Sequence, residues 1–302
     1  MRSRLPALTA EHGRRGDPGG AVRLRLPAVL TLALVTAVGL AAFCWPFLAD
    51  PTIGEEHGHD APWLFAVLLG LLALVLLAEM TAQGMDAKAV AVLGVLAAMG
   101  GALRVLSAGT GGLEPMFFLI LLGGRALGAS KGFLLGALAL LTGAFLTGGV
   151  GPWVPFQMFA AGWVALGAAL LPRMGGWGER VLLAVYGAVT GFGYGVVMNL
   201  WFWPFLDVAS APTGAGFVPG DPVAANLQHY AVFYVATSLG YDLPRAVLTA
   251  ALVLVVGGRV LAALRRAVRK ANFEAQATFV PAAAGTLLRG IPRGPARRRT
   301  GA

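Results

Sequence analysis

The feature that most constrains this chain is a succession of long apolar runs. They lie at 27–48, 62–78, 87–106, 132–147, 153–171 and 181–205, each close to the roughly 20 residues that a helix needs to cross about 30 Å of hydrocarbon. A chain built this way lacks the polar surface to close a water-facing globule. Charged residues make up 12% of it, against about 25% in soluble domains, and mean hydropathy is +0.74. A soluble enzyme or a soluble nucleic-acid binder is excluded, and the expected class is an all-α, multi-pass membrane protein. The first run is too long for a signal h-region, and its Cys44-Trp45-Pro46-Phe47 end has no small-residue cleavage site, so it reads as a retained helix. Cys44 is the single cysteine and leaves neither a disulfide framework nor a cysteine metal cluster.

Between the third and fourth runs, Glu114-Pro115 opens a short apolar segment that ends near Leu127. Thirteen residues of helix rise only about 20 Å, so this segment is expected to pack inside the bundle rather than span on its own terms. After 206 the pattern weakens. Residues 223–239 are fairly apolar, 240–244 break the run, and 245–256 are apolar again. Charge placement helps here, because Lys and Arg near helix ends mark the cytoplasmic side. With the N-terminus inside, 21 of the 23 basic residues fall on inner segments, ten of them from Arg259 onward. The other two, Arg104 and Arg245, fall at outer helix ends. A full span at 223–239 would carry the basic tail outside, so that segment is expected to be an outer or re-entrant helix. The expectation is eight membrane helices in the cell membrane with both termini cytoplasmic. It divides the chain into a basic tail (1–26), two helices joined by an acidic outer loop (27–86), a six-helix core (87–270) and a disordered basic tail (271–302).

Motifs of soluble chemistry are missing or misplaced. Gly124 to Lys131 is Gly-rich and ends in Lys, but the Gly-Lys-Ser/Thr of a phosphate loop is absent, so the chain itself is not expected to hydrolyse ATP. Gly191-Phe192-Gly193-Tyr194-Gly195 has no preceding strand, and its glycines suit close helix packing. There is no Gly-x-Ser-x-Gly elbow, and no base–nucleophile pair argues for an enzyme. His57-Gly58-His59-Asp60 has the makings of a loop chelate, but a solvated acidic loop explains it as well. No cofactor and no metal site are expected.

The informative residues are polar and aromatic, and the topology gathers them at the outer end. Trp153 and Gln157 begin a helix there, and Asn199, Trp201 and Trp203 end another. Glu114 opens the short helix, Arg104 closes the one before it, and His229, Tyr230, Tyr234, Asp242 and Arg245 lie in or beside the last outer segment. An aromatic, amide-lined mouth suits a flat or bulky organic solute. An interfacial aromatic belt accounts for the tryptophans equally well, and Arg104 and Glu114 are candidates simply to neutralise each other. A second pattern is the small-residue stripe Ala87, Ala91, Gly94, Ala98 and Ala102, which admits the close approach of another helix. Spacing alone favours a helix of the same chain.

The order of these motifs resembles the substrate-binding (S) component of energy-coupling factor (ECF) vitamin transporters. The resemblance lies in Glu114-Pro115-Met116-Phe117-Phe118, Leu122-Gly123-Gly124-Arg125-Ala126-Leu127-Gly128 and Lys131-Gly132-Phe133-Leu134-Leu135-Gly136. It extends, toward an actinobacterial-type branch, to Gly151-Pro152-Trp153-Val154-Pro155-Phe156-Gln157 and Met198-Asn199-Leu200-Trp201-Phe202-Trp203-Pro204-Phe205. The resemblance covers 87 to about 269. It implies a six-helix S-component-like core preceded by two additional transmembrane helices. It also implies an outward-facing site holding a vitamin or related micronutrient, with Trp153, Gln157, Asn199, Trp201, Trp203, His229 and Glu114 as substrate-binding candidates. The implied partners are a transmembrane coupling protein and two ATPase subunits, with Ala91, Gly94 and Ala98 as the coupling interface. A cobalamin-like corrinoid is the first choice of ligand, because the branch suggests it and the loop 206–228 is long enough to cover a large solute. Riboflavin, a thiamine precursor or another vitamin remains open. Metal-ion members are disfavoured by the absence of their His-bearing N-terminal segment. The competing class is a membrane scaffold or assembly factor with no transport role, anchored to anionic lipid by its basic tail.

Overall fold

The computed structural model describes residues 26–44, 47, 70, 87–107, 109–206 and 211–274. These residues are all-helical, with no strand among them. The helices are α1 (Leu26–Phe43), α2 (Ala87–Val105), α3 (Met116–Leu127), α4 (Ala129–Leu146), α5 (Val154–Leu170), α6 (Gly176–Phe202), α7 (Val223–Thr237), α8 (Leu239–Leu252) and α9 (Gly258–Glu274). A 3-10 turn, Trp203–Phe205, follows α6, and a π turn, Val253–Gly257, joins α8 to α9 without interruption.

Among the described residues, four helices are long and apolar enough to cross a membrane: Ala87–Val105, Ala129–Leu146, Gly176–Phe202 and the continuous Leu239–Lys270. Val29–Phe43, Met116–Leu127 and Val154–Leu170 are apolar but shorter. Within the described residues, the runs expected to span at 27–48 and 153–171 form helices of 18 and 17 residues, at the short end of what a span needs. The second expected helix, 62–78, the acidic loop with His57 and His59, and both basic tails fall almost wholly outside the described residues. Exposed aliphatic side chains stud the long helices, among them Val95, Val185, Val189, Val247 and Val255, which is the pattern of an outer surface against lipid rather than water.

The core forms where α4 lies between α2 and α5, with α3 packed against α4 and α5, while α8 packs along α6. Its centre is built by side chains with no exposure, including Ile120, Leu135, Ala137, Ala161 and Ala165. The short α3 has nine of its twelve residues buried, so it lies inside the bundle. Small residues set the spacing of this centre. A Cβ at Gly124 would run into the backbone carbonyl of Ala165, and one at Gly136 into that of Ala161, so α3 and α4 both approach α5 nearly backbone to backbone.

The segment 240–244, expected to break the chain, is instead the first part of a long helix. Pro244 lies inside α8, near its N-terminal end, where few intrahelical bonds are made and the loss of one donor matters least. The segment 223–239 separates into α7, which ends at Thr237 with Ser238 as its C-cap and is not among the apolar spanning helices.

Candidate functional site

The expected outer cluster does assemble at one end of the bundle, but with different partners. Glu114, just before α3, accepts from Arg245 of α8 and not from Arg104. Arg245 also pairs with Asp242 one turn earlier and donates to the Gly191 carbonyl at 3.2 Å. Its guanidinium lies 5.3 Å from the Phe117 ring centre and 5.0 Å from that of Tyr194, and those two rings meet edge to face at 4.7 Å. Arg245 and Asp242 are both buried. Arg104 instead crosses α4 over Gly143, where a Cβ would strike its stem, and its Nη2 donates to Gln157 Oε1 at 3.0 Å. The expected Arg104–Glu114 pair is therefore replaced by two separate contacts. The reason is geometric: Arg245, 131 residues away in sequence, meets Glu114 with its charge desolvated among aromatic rings.

Of the other candidates, Trp153 is 37% exposed, donates its Nε1 to the Gly149 carbonyl and meets Trp201 edge to face. Trp201 packs on Phe156 at 5.4 Å. Asn199 Nδ2 donates to Ser238 Oγ at 2.6 Å, tying the end of α6 to the α7–α8 elbow. Trp203 has no exposure. Its Nε1 donates to the Ala215 carbonyl at 2.6 Å, and Phe217 and Tyr230 pack edge-on against it. It is the centre of a small core under the connecting loop and not an open wall. Asn226 pins the same loop by accepting from the Val218 N–H and donating to the Val218 carbonyl, both at 2.9 Å.

Beside this cap lie three polar atoms that are buried without a hydrogen-bond partner: His229 Nδ1, the Tyr234 hydroxyl and Asp242 Oδ2. The Tyr234 phenol is a neighbour of Asp242. Burial raises the pKa of both Tyr230 and Tyr234 above the ordinary tyrosine value, so each stays a neutral hydroxyl. Tyr230 spends its proton on the Val196 carbonyl of α6. Unpaired buried polar atoms are rare and require an explanation. Tyr234 of α7 and Asp242 of α8 lie against each other across the elbow between these helices, and His229, on α7 as well, is the substrate-binding candidate from the sequence among the three.

The stripe on α2 is wholly outward. Ala87, Ala91, Gly94, Ala98 and Ala102 are all exposed, while Leu93, Leu96, Ala97, Gly100 and Gly101 form the buried face. Nothing lies within 4 Å of where a Gly94 Cβ would sit. The described residues of the same chain therefore do not use this stripe, contrary to what spacing alone favoured.

Two hollows lie elsewhere. One, of about 200 Å³, opens between α5 and α6 and is lined by Ala160, Trp163, Val164, Thr190, Tyr194 and Val197 among others. The other, of about 290 Å³, lies at the opposite end of the bundle, between α6 and the π turn with α9. It adjoins a cluster that the sequence reading missed. Buried Glu179 accepts from Arg125 Nε at 2.9 Å and from both terminal nitrogens of Arg265, at 2.9 and 2.6 Å. Arg125 also donates to the Leu171 and Pro172 carbonyls. The signal that would have found it is an acidic residue in the first turn of a helix flanked by basic segments. No group of three His, Cys, Asp or Glu fit to hold a metal occurs among the described residues, and the His57–His59 loop lies outside them.

Comparison of the chain with protein-family models, with curated proteins and with solved structures gives no match.

Proposed function

We propose that the chain is the substrate-binding membrane component of an ECF-type importer. In this reading it captures a vitamin or related micronutrient, with a cobalamin-like corrinoid favoured, at the outer end of a six-helix core. It then passes its cargo inward with a coupling protein and two ATPase subunits. The observation that carries the reading is the bare stripe Ala91, Gly94 and Ala98 on a helix whose opposite face is buried. A small-residue face left uncovered by the described bundle suits docking against a helix of another membrane protein. The buried His229 Nδ1, which has no hydrogen-bond partner among the described residues, fits the same reading, as a group that a bound solute would satisfy.

The test is to purify the full chain from its native membrane, identify co-purifying subunits and small molecules by mass spectrometry, and titrate vitamins against tryptophan fluorescence. Gly94→Leu or Ala98→Leu is expected to abolish complex formation and uptake while leaving solute binding intact. Normal assembly and transport by both variants would remove the coupling role. Orientation is tested separately. A cysteine at exposed Thr213 should react with an impermeant thiol reagent from outside, and one at exposed Gly175 only after lysis. Labelling of position 175 in intact cells would reverse the topology.

A scaffold role is the second reading. It is favoured by the extent to which the outer residues already satisfy one another, as in Arg104–Gln157, Glu114–Arg245–Asp242 and Trp203–Ala215. An empty protein that answers to no vitamin would support it.

A further inference from the structure

The hollow at the α6–α9 end is chemically unlike the rest of the molecule. Arg180, Arg265, Arg266 and Arg269 line it together with Glu179, and Leu122, Leu183, Val253 and Leu261 line it too. Glu179 is the sole carboxylate on this lining, and Arg125 and Arg265 already occupy its oxygens. Arg266 and Arg269 are exposed on α9, one turn apart and so on one helix face.

Arg180 is held over the Trp177 ring at 5.4 Å. It also lies against Gly258, where a Cβ would collide with the guanidinium. Gly258 directly follows the π turn Val253–Gly257, two of whose residues line the hollow. Such turns shift the register of the helix that carries them and recur at functional positions. Gly176, the first residue of α6, also lines the hollow, and a helix N-terminus carries partial positive charge.

We propose that this hollow binds a phosphate group, carried by an anionic lipid of the membrane face at which the basic residues gather. Guanidinium groups match phosphate oxygens in bidentate geometry, and basic pockets between helix ends are a recurring way to hold charged headgroups. The apolar wall of Leu122, Leu183, Val253 and Leu261 gives the glycerol and upper acyl carbons a place that a free anion would leave unfilled. About 290 Å³ is at the lower limit of ordinary ligand pockets and suits a headgroup rather than a whole lipid. The inference holds whether the chain is a transporter or a scaffold.

The test uses the full chain in detergent micelles doped with phosphatidylglycerol or, in parallel, phosphatidylcholine, with thermal unfolding followed by tryptophan fluorescence. Phosphatidylglycerol should raise the unfolding temperature at lower concentration than phosphatidylcholine. The double variant Arg266→Gln, Arg269→Gln removes two exposed charges and should raise the phosphatidylglycerol midpoint roughly tenfold or more. The control variant Arg259→Gln, Lys270→Gln removes the same charge from residues that do not line the hollow, and should shift it much less. Inorganic phosphate alone separates the two sources of the group. Stabilisation by it that is lost in Arg266→Gln, Arg269→Gln would make the ligand a free phosphate in the same cradle, and no effect beside intact lipid binding would make it lipid-borne. Equal shifts in both double variants, or equal response to the two lipids, would overturn the proposal, because the attraction would then be diffuse surface charge.

Discussion

The two ends of the bundle solve the problem of charge near lipid in opposite ways. At the end of the bundle that holds Glu114, Arg104 and Arg245 stand against Glu114 and Asp242, so the cluster carries no net charge, and Arg245 touches both carboxylates. At the other end, five arginines (Arg125, Arg180, Arg265, Arg266 and Arg269) lie around one carboxylate, Glu179, which Arg125 and Arg265 occupy. In the first arrangement charges are matched one for one, beside a small core that Trp203 and Asn226 pin under the connecting loop. The second is open and keeps a surplus of four positive charges. A neutral, aromatic, partly unsatisfied site is suited to an uncharged or weakly charged solute, whereas a surplus of guanidinium groups is suited to an anion. One fold thereby carries two chemically distinct surfaces at its two ends.

Removing one ion from each end should produce the largest contrast. Arg245→Met leaves Glu114 and buried Asp242 without a counter-charge and should cost about 3–5 kcal/mol of stability, the usual loss when one partner of a buried pair is removed. Glu179→Gln should cost less, about 1–3 kcal/mol, because Arg125 keeps its bonds to the Leu171 and Pro172 carbonyls and Arg265 has partial access to solvent. Denaturant unfolding of both variants in the same detergent checks the order. A larger loss in Glu179→Gln would mean that the inner cluster, and not the outer one, anchors the bundle.

A second contrast sets the interior against the bare stripe. Gly124→Ala places a methyl group against the Ala165 carbonyl and should destabilise by about 1–3 kcal/mol through overpacking. Gly94→Ala adds the same methyl in open space and should change stability by no more than about 0.5 kcal/mol. A clear loss in Gly94→Ala would show that a part of the chain outside the described residues covers the stripe, and would weaken its coupling role.

What the sequence made legible follows from how each property is encoded. Composition and run length fix the helical, membrane-crossing character locally, and the Glu114–Leu127 segment was recognisable as too short to span because helix rise is a constant. That Trp153, Gln157, Asn199 and Arg245 lie toward helix ends was also readable, since run boundaries alone put them there. Pairing was not. Which of Arg104 and Arg245 meets Glu114 depends on helix rotation, and a span of uniform hydropathy carries little rotational signal. The same uncertainty explains the stripe on α2, where small residues occupy both the buried face (Ala97, Gly100, Gly101) and the exposed one (Ala91, Gly94, Ala98). The Gly240–Pro244 segment misled because a proline near a helix start reads the same as one that ends a helix. Glu179 was not legible as a site because the basic segments around it serve equally well as markers of one membrane face.

The smallest expected effects bear most directly on whether the outer end is a site or only packing. Gln157 accepts one hydrogen bond from Arg104, and Asn199 donates one to Ser238, so alanine at either position should cost only about 0.5–1.5 kcal/mol of stability. If the outer end binds a solute, the same substitutions should weaken its affinity about tenfold or more, a larger effect than their cost to folding. Trp153 gives the readout, since it is partly exposed and shares a ring cluster with Trp201. Trp203, sealed under the loop, should hold a fixed emission unless the cap itself opens. Titration of the Trp203→Phe variant would therefore keep the whole binding signal if the solute enters beside Trp153, and lose it if entry requires the cap to move. A fall in stability equal to the fall in affinity for both Gln157→Ala and Asn199→Ala would assign these amides to packing alone.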